Sequence, residues 1–411
     1  MKCMLIGLGQ AGGKITDRFI EYDKGGRATS IYTGVAINSA RVDLVGLKNI
    51  PERNRVLIGE TIVKGHGVGA DNRLGAEIAR KDMARIMSAV AQAGTENVDA
   101  FIIVSSMGGG TGSGSAPIVA KYLKKTYSEN VYVLGVLPAD NEGGIYLLNA
   151  ARSLKTLSKY VDAMILVDNG VFLNPGDSLK EAYLKINNEI VKRFDVLFRA
   201  GEIVSQDHIP ELVVDASEIA NNINIFSSKT PKTNNKEIAN TINGMEICTI
   251  GYASEKPPKK NTLGLSSLLG KKTEAKQDKA SRVLQLVTGA VKSHLLLPCD
   301  FRYVRKALVV VAGPPEELSR VGMENSKEWL ETTIKGKEVR GGDYPAPGSD
   351  YIAVCVLISG ITGSKKINDI FERAKDMQEI IAKGMTEEEY ERLKETARLM
   401  GDIDSLPLDE D

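Results

Sequence analysis

Residues 100–117 read AFIIVSSMGGGTGSGSAP: an apolar run, a glycine-dense stretch, and then a helix-like segment, IVAKYLKK. A loop this poor in side chains leaves backbone N–H groups uncovered. At a helix N-terminus those groups and the helix dipole converge on one spot that suits an anion. Phosphate is the first candidate, because glycines let the backbone approach closely and Thr111, Ser113 and Ser115 can add hydroxyl donors. The alternative is a glycine turn built for tight strand–helix packing. P-loop spacing is nearly met by Gly109 and Gly114, but Ser115 stands where the P-loop lysine belongs, so this is not a P-loop NTPase.

A second wall of the same kind lies at the start of the chain. KCMLI runs into GLGQAGG, where Gly7, Gly9 and Gly12 satisfy GxGxxG before a helix. This raises a dinucleotide-binding oxidoreductase as a rival, yet the acidic ribose partner expected about 20 residues on is absent and the next strand ends in Asn38. A third glycine loop, GHGVGAD at 65–71, adds to the first two. Together they fit a polyphosphate held from several sides by backbone dipoles, with no lysine required. A base would need an aromatic face and an amide, and Tyr183 and Asn187 share one face of a predicted helix. Taken alone, Tyr183 on an apolar stripe reads equally as a core residue.

Composition sets the outer limits. The 411 residues allow two domains or more, and 42% hydrophobic content allows ordinary cores. Lys+Arg and Asp+Glu are both 53, so no net field favours nucleic acid or an anionic membrane. Cys3, Cys248, Cys299 and Cys355 are scattered without metal-ligand spacing and read as core residues in a reducing compartment. No apolar run approaches a membrane span, and the first one stops at a glycine turn. The expectation is therefore a cytoplasmic protein without membrane insertion.

The order of elements predicts an α/β fold. Strand candidates KCMLI, IYTGVAI, RVLIG, DAFIIVSS, VYVLGVLP and AMILVD alternate with helical patterns, which implies a parallel sheet with ligands at the carboxyl ends of its strands. A long helix follows at about 178–199, opened by the capping-box pair Ser178 and Glu181, with Leu179, Tyr183, Ile186, Ile190, Phe194 and Leu197 on one face. Beyond a polar stretch at 221–240, the strand candidates EICTIGYAS, ALVVVAG and YIAVCVLIS and helices near 280–294, 316–333 and 364–383 predict an α+β second domain. Residues 255–279 carry seven lysines against three acidic residues and read as a mobile basic surface loop. A last helix opens at Thr386 with Glu389 as its box partner, before a tail read as acidic and disordered.

GGGTGSG is similar to the phosphate loop of the tubulin/FtsZ superfamily, and the order of motifs resembles that superfamily over nearly the whole chain. GLGQAGG, AIN ending at Asn38, GHGVGADN, NEGGIYLLNAARS, PPE and VRGGDYPAPG together look most like the archaeal CetZ proteins. The resemblance implies a Rossmann-like GTPase domain at 1–177, a central connecting helix at 178–200, and an acidic loop with a following helix region at 201–240. It implies a C-terminal activation domain at 241–363, then C-terminal helices and tail at 364–411. It further implies a cytoskeletal GTPase, acting in cell shape or motility, whose copies stack head to tail. GTP or GDP would be bound with Mg²⁺. By the same resemblance Gly9, Gln10, Ala11, Gly12 and Gly108 to Gly114 (Gly108, Gly109, Gly110, Thr111, Gly112, Ser113, Gly114) hold phosphates. Asn38 and Glu142 reach the ribose or phosphate side, and Asn169, Tyr183 and Asn187 recognise guanine. Asp215 and Glu218 in VVDASEI position the attacking water for a neighbouring subunit, although DASE alone is also a good helix N-cap. Residues 255–279 lie where tubulin makes lateral contacts.

Val213 replaces an asparagine of FtsZ's acidic loop, and Tyr146 replaces an arginine of its fifth loop. A GTP-binding regulator that stays monomeric is the competing reading from a different class.

Overall fold

The structure is a computed structural model, and it describes residues 1–25, 30–172, 176, 178–202, 210–224, 245–258, 271–334, 338–389 and 392. Most of the polar stretch at 221–240, the centre of the basic loop at 255–279, and nearly all of the chain beyond 389 lie outside the described residues.

The nucleotide half contains β1 (Cys3–Leu8), α1 (Gly9–Lys24), β2 (Tyr32–Asn38), α2 (Arg41–Val45), β3 (Arg55–Leu57), α3 (Glu60–Val63), α4 (Asn72–Lys81) and α5 (Met83–Gln92). It continues with β4 (Ala100–Ser106), α6 (Gly110–Thr126), β5 (Asn130–Leu137), α7 (Gly144–Leu157) and β6 (Ala163–Asp168). The helices α8 (Leu179–Arg199) and α9 (Ala216–Ile223) follow. The C-terminal half adds β7 (Ile247–Glu255), α10 (Lys271–Ser293), β8 (Lys306–Gly313), α11 (Arg320–Thr333), β9 (Glu338–Pro345), β10 (Ile352–Ser359) and α12 (Lys365–Lys383).

The ten strands of the described residues join one sheet in the order β3-β2-β1-β4-β5-β6-β7-β10-β8-β9. The first six are parallel, and β7 extends them through Met164↔Ile247 and Ile165↔Cys248. β10 runs antiparallel to both its neighbours, β7 and β8. Strands this apolar need cover on both faces, and they have it. Met4, Ile6 and Leu8 of β1 belong to the core layer that also holds residues of α4 to α7 and α10 to α12, while Cys3 and Leu5 belong to the layer of α1, α8 and α9. The period of two along β1 thus sorts the core into two layers.

Strand order reverses between β1 and β4, since the chain moves outward from β1 through β2 to β3 and in the other direction from β4 to β6. Ligands of such sheets bind at that switch point, beyond the carboxyl ends of the strands. Both leading glycine motifs sit there.

One strand escaped the sequence reading. β9, EVRGGDYP, pairs in parallel with β8 at the sheet edge, and its Gly341 and Gly342 hide the pattern. A Cβ on Gly342 would collide with Val214, so the loop ahead of α9 dictates glycine there.

The central helix is confirmed, cap included: Ser178 accepts from Glu181 N–H and Glu181 accepts from Ser178 N–H at 3.2 Å. Its stripe is corrected at one position. Ile186, Ile190, Phe194 and Leu197 are buried, but Tyr183 is 50% exposed, because Ala182 turns to the core in that part of α8; the side chain of Leu179 lies outside the description.

Candidate functional site

The stretch read as a loop at 108–117 is mostly helix: α6 already begins at Gly110. Its glycines serve two purposes. A Cβ on Gly110 would strike Gly69 O, and one on Gly114 would strike Asn72 O, so these positions let α4 and the 65–71 loop lie directly on α6. A Cβ on Gly112 would lie 2.5 Å from Ser105 Oγ and 3.0 Å from Leu8 O, against the ends of β4 and β1. Gly109, the N-cap of α6, has nothing within 4 Å of such a Cβ. Packing therefore explains Gly110, Gly112 and Gly114, while Gly109 faces open space.

The hydroxyls behave differently from the expectation. Ser113 donates to Gly109 O, and Ser115 donates to Thr111 O at 2.6 Å, the back-bonding that serines make inside helices. Thr111 shares a hydrogen bond of 2.7 Å with Ser39, which ties α6 to the end of β2. These three hydroxyls are already partnered, two within the stretch and Thr111 with Ser39.

The first glycine loop meets the second. Gly9 opens α1 at φ 71°, where glycine alone is unstrained, and a Cβ there would lie 3.0 Å from Gly112 N. Gly12 fits against Val104 O of β4. α7 joins the same edge: Asn149 donates to Gly108 O at 3.0 Å and to Ala70 O at 2.7 Å, and Tyr146 packs on Gly108. α1, α6 and α7, like α2, α3, α5 and α12, begin without a side-chain cap, whereas α4, α8, α9 and α11 are capped by Asp71, Ser178, Asp215 and Ser319. Of the uncapped helices, α1, α6 and α7 turn their N–H groups toward the crevice at the switch point.

Asp43 was missed by the sequence reading. Its two carboxylate oxygens accept from Gln10 Nε2 and Asn38 Nδ2, both at 2.9 Å. Since a carboxylate only accepts, this pins both amides: Gln10 directs its carbonyl oxygen away from Asp43, and Asn38 Oδ1 accepts from Ala40 N–H at 3.1 Å. Position alone gave no signal for Asp43, because it is one acidic residue in a five-residue helix with no motif around it.

The remaining positions are spread along the same edge. Glu142 accepts from Ala139 N–H at 2.7 Å, which shapes the loop after β5, and Asn169 follows the last residue of β6. Tyr183 and Asn187 lie near the start of α8. That helix runs beside α1, as Arg18 donating to Asn188 at 2.7 Å and the buried Arg199–Asp23 pair at 2.5 Å show.

Asp215 and Glu218 are elsewhere. α8 spans about 30 Å, and its far end meets the opposite edge of the sheet, where Met1 N donates to Phe198 O at 2.6 Å. The acidic loop tucks under that end, with Val214 O 2.7 Å from a Cβ on Gly201. Asp215 caps α9, accepting from Glu218 N–H at 2.8 Å and from Ser217 Oγ at 2.6 Å. The Ser217 hydroxyl and that N–H hold its carboxyl below the usual aspartate range. Glu218 pairs with Arg340 of β9 at 3.3 Å, a partner that sequence could not supply without β9.

Among the described residues no group of three or more His, Cys, Asp or Glu side chains could hold a metal ion, and no helix is long and apolar enough to cross a membrane.

Comparison with known proteins places this geometry. Residues 2–175 match the family described as the Tubulin/FtsZ family, GTPase domain, and 176–227 and 232–376 match the Tubulin-like CetZ, C-terminal domain. Tubulin-like protein CetZ1 of Haloferax volcanii is 46% identical over 93% of each chain. The solved structure of CetZ1 from that organism as a GDP-bound monomer aligns with TM-score 0.77 at 43% identity, over 92% of this chain and 100% of the other. The GTPγS-bound protofilament of CetZ2 from Haloferax volcanii gives TM-score 0.77 at 35% identity, over 94% and 100%.

Proposed function

This chain belongs to the tubulin/FtsZ family, in its CetZ branch, and on that premise we propose that it is a cytoskeletal GTPase whose copies stack head to tail and hydrolyse GTP between them. The observation that carries this reading is the separation of the two halves of the chemistry. The glycine cradle lies at the carboxyl edge of the sheet, and Asp215 and Glu218 lie at the far end of α8. No single chain brings them together, but stacking a second copy end to end would.

Exposed apolar residues flank both parts: Val42 and Val45 on either side of Asp43, and Leu212 and Val213 just ahead of Asp215. Apolar side chains exposed at both ends suit a surface that is covered in use. The relatives agree, since one is described bound to GDP as a monomer and another bound to GTPγS as a protofilament.

Within the cradle, Gly9, Gln10, Ala11, Gly12 and 108–114 hold the phosphates through N–H groups, and Gly109 gives the closest approach. Asn38 and Glu142 take the ribose or phosphate side; Asn169, Tyr183 and Asn187 take the guanine. Mg²⁺ fits this donor set as a partner of the polyphosphate, because such an ion keeps most of its waters and needs few protein ligands. Gln10 Oε1, turned outward by Asp43, is an acceptor suited to a water on that ion, and the ion would neutralise charge developing on the phosphates. In trans, Glu218 and Asp215 orient the attacking water. The boundaries at 177, 200, 240 and 363 divide these tasks into nucleotide domain, connecting helix, acidic loop, activation domain and C-terminal helices. A place in the cytoplasm and a part in cell shape or motility go with this reading.

Sedimentation with GTP, GDP or a non-hydrolysable analogue, with phosphate release read in the same samples, tests it. The expected result is pelleting with GTP or the analogue and turnover that rises steeply above a threshold concentration. GTP binding with no pellet, and turnover merely proportional to protein, would instead describe a monomeric GTP-binding regulator.

A further inference from the structure

The first turns of α12 reach from the C-terminal half back to the nucleotide loops. Lys366 is only 7% exposed, yet its Nζ lies 2.5 Å from Asp140 Oδ1 in the loop after β5 and 3.3 Å from Asp168 Oδ1 at the end of β6. Arg373, two turns further on, donates to Asp140 O at 2.9 Å and to Glu142 O at 3.3 Å. The same Asp168 oxygen accepts from Gly170 N–H at 3.0 Å, fixing the turn that carries Asn169. Below them Met377 and Glu387 close on Gly144, leaving no room for a side chain at the start of α7.

A lysine is a costly way to fill a buried position, and an apolar side chain of similar volume often serves stability as well or better. What charge supplies here is a tie between two loops that leave adjacent strands separately. We propose that Lys366 is a positioning residue for nucleotide binding: it ties the loop of Glu142 to the segment of Asn169, so that α12 governs how firmly the site grips both ends of the nucleotide. This rests on the GTP-binding reading above. The hydrogen bond from Lys366 also draws the Asp140 carboxyl below its ordinary range, although solvent screens the pair because the Asp140 side chain is 85% exposed.

The test compares Lys366→Met and Lys366→Arg with the unaltered protein, by titration with fluorescent GTP, GDP and ATP well below the melting temperature. The methionine variant is expected to bind GTP and GDP about tenfold more weakly with a reduced preference for guanine over adenine, and the arginine variant to regain most of both. A methionine variant that melts earlier but binds with unchanged affinity and base preference would make Lys366 a structural pin only and overturn the proposal. If that variant does not fold, Asp140→Ala cuts the tie at its exposed end and leaves Asp168 and its hydrogen bond from Gly170 N–H as they are. Weakened binding there supports the proposal, and unchanged binding overturns it. Failure of the unaltered protein to bind GTP would strike the parent reading, an outcome distinct from a loss confined to the variants.

Discussion

Asp215 caps α9, and substitutions can separate that job from the water-orienting one proposed for it. As the cap of α9 it satisfies the Glu218 N–H, and asparagine caps about as well as aspartate. Asp215→Asn should therefore melt close to the unaltered protein yet lose turnover, whereas Asp215→Ala should lose turnover and also about 1 kcal/mol of stability. Melting curves and phosphate release on the same preparations check both. Because the native carboxyl is depressed, the stability it adds is present above its unfolded pKa of about 4 and disappears as pH falls through the lower native value. Melting near neutrality should not depend on its titration. Glu218 is fixed by Arg340 before any neighbour arrives. Glu218→Ala should leave GTP affinity intact while slowing turnover by roughly 100-fold or more, with filaments that persist longer in light scattering. Unchanged turnover in that variant would remove Glu218 from the chemistry.

At the scale of elements, α6 makes the glycines of one motif separable. Gly109→Ala introduces a methyl into open space at φ −71° and should not disturb folding, but it should weaken GTP binding by about tenfold or more through loss of a charge-assisted N–H contact. Gly114→Ala drives a methyl into Asn72 O at the α4 contact and should cost about 1–3 kcal/mol of stability. Titration and melting of the pair distinguish cradle from packing. The same helix shows what could be read beforehand. Apolar runs such as AFIIVSS and the Ser178–Glu181 box announce themselves because their signal is local, and they located β4 and α8 closely. The start of α6 did not, because the chain uses glycine there to admit α4, and glycine in a sequence looks like a loop. β9 was hidden for the same reason: Gly342 yields to Val214 across the fold, and Arg340, the partner of Glu218, disappeared from view with its strand. Asp43 and Lys366 act through partners distant in sequence, so neither had a motif to reveal it.

For the whole molecule the dominant fact is polarity along α8. One end of the sheet presents uncapped helix N-termini and the other presents two carboxylates, and a heterologous contact between opposite ends propagates into a filament unless its rotation closes a ring. The chain's equal numbers of acidic and basic residues set no general repulsion against it. The cysteines take no part. Burial pushes Cys3 far up and Cys248, Cys299 and Cys355 to about 12, so thiol reagents at pH 8 should label Cys3, Cys248 and Cys355 only at the rate at which the protein opens, and half-buried Cys299 before them. The central claim, a site divided between copies, is tested most directly by mixing two crippled variants. Gly109→Ala retains the acids, and Glu218→Ala retains the cradle. If the site is shared, a one-to-one mixture should hydrolyse GTP faster than the sum of the two measured separately, since roughly one contact in four then joins an intact cradle to intact acids. Turnover equal to that sum at every concentration at which the mixture pellets would contradict the account.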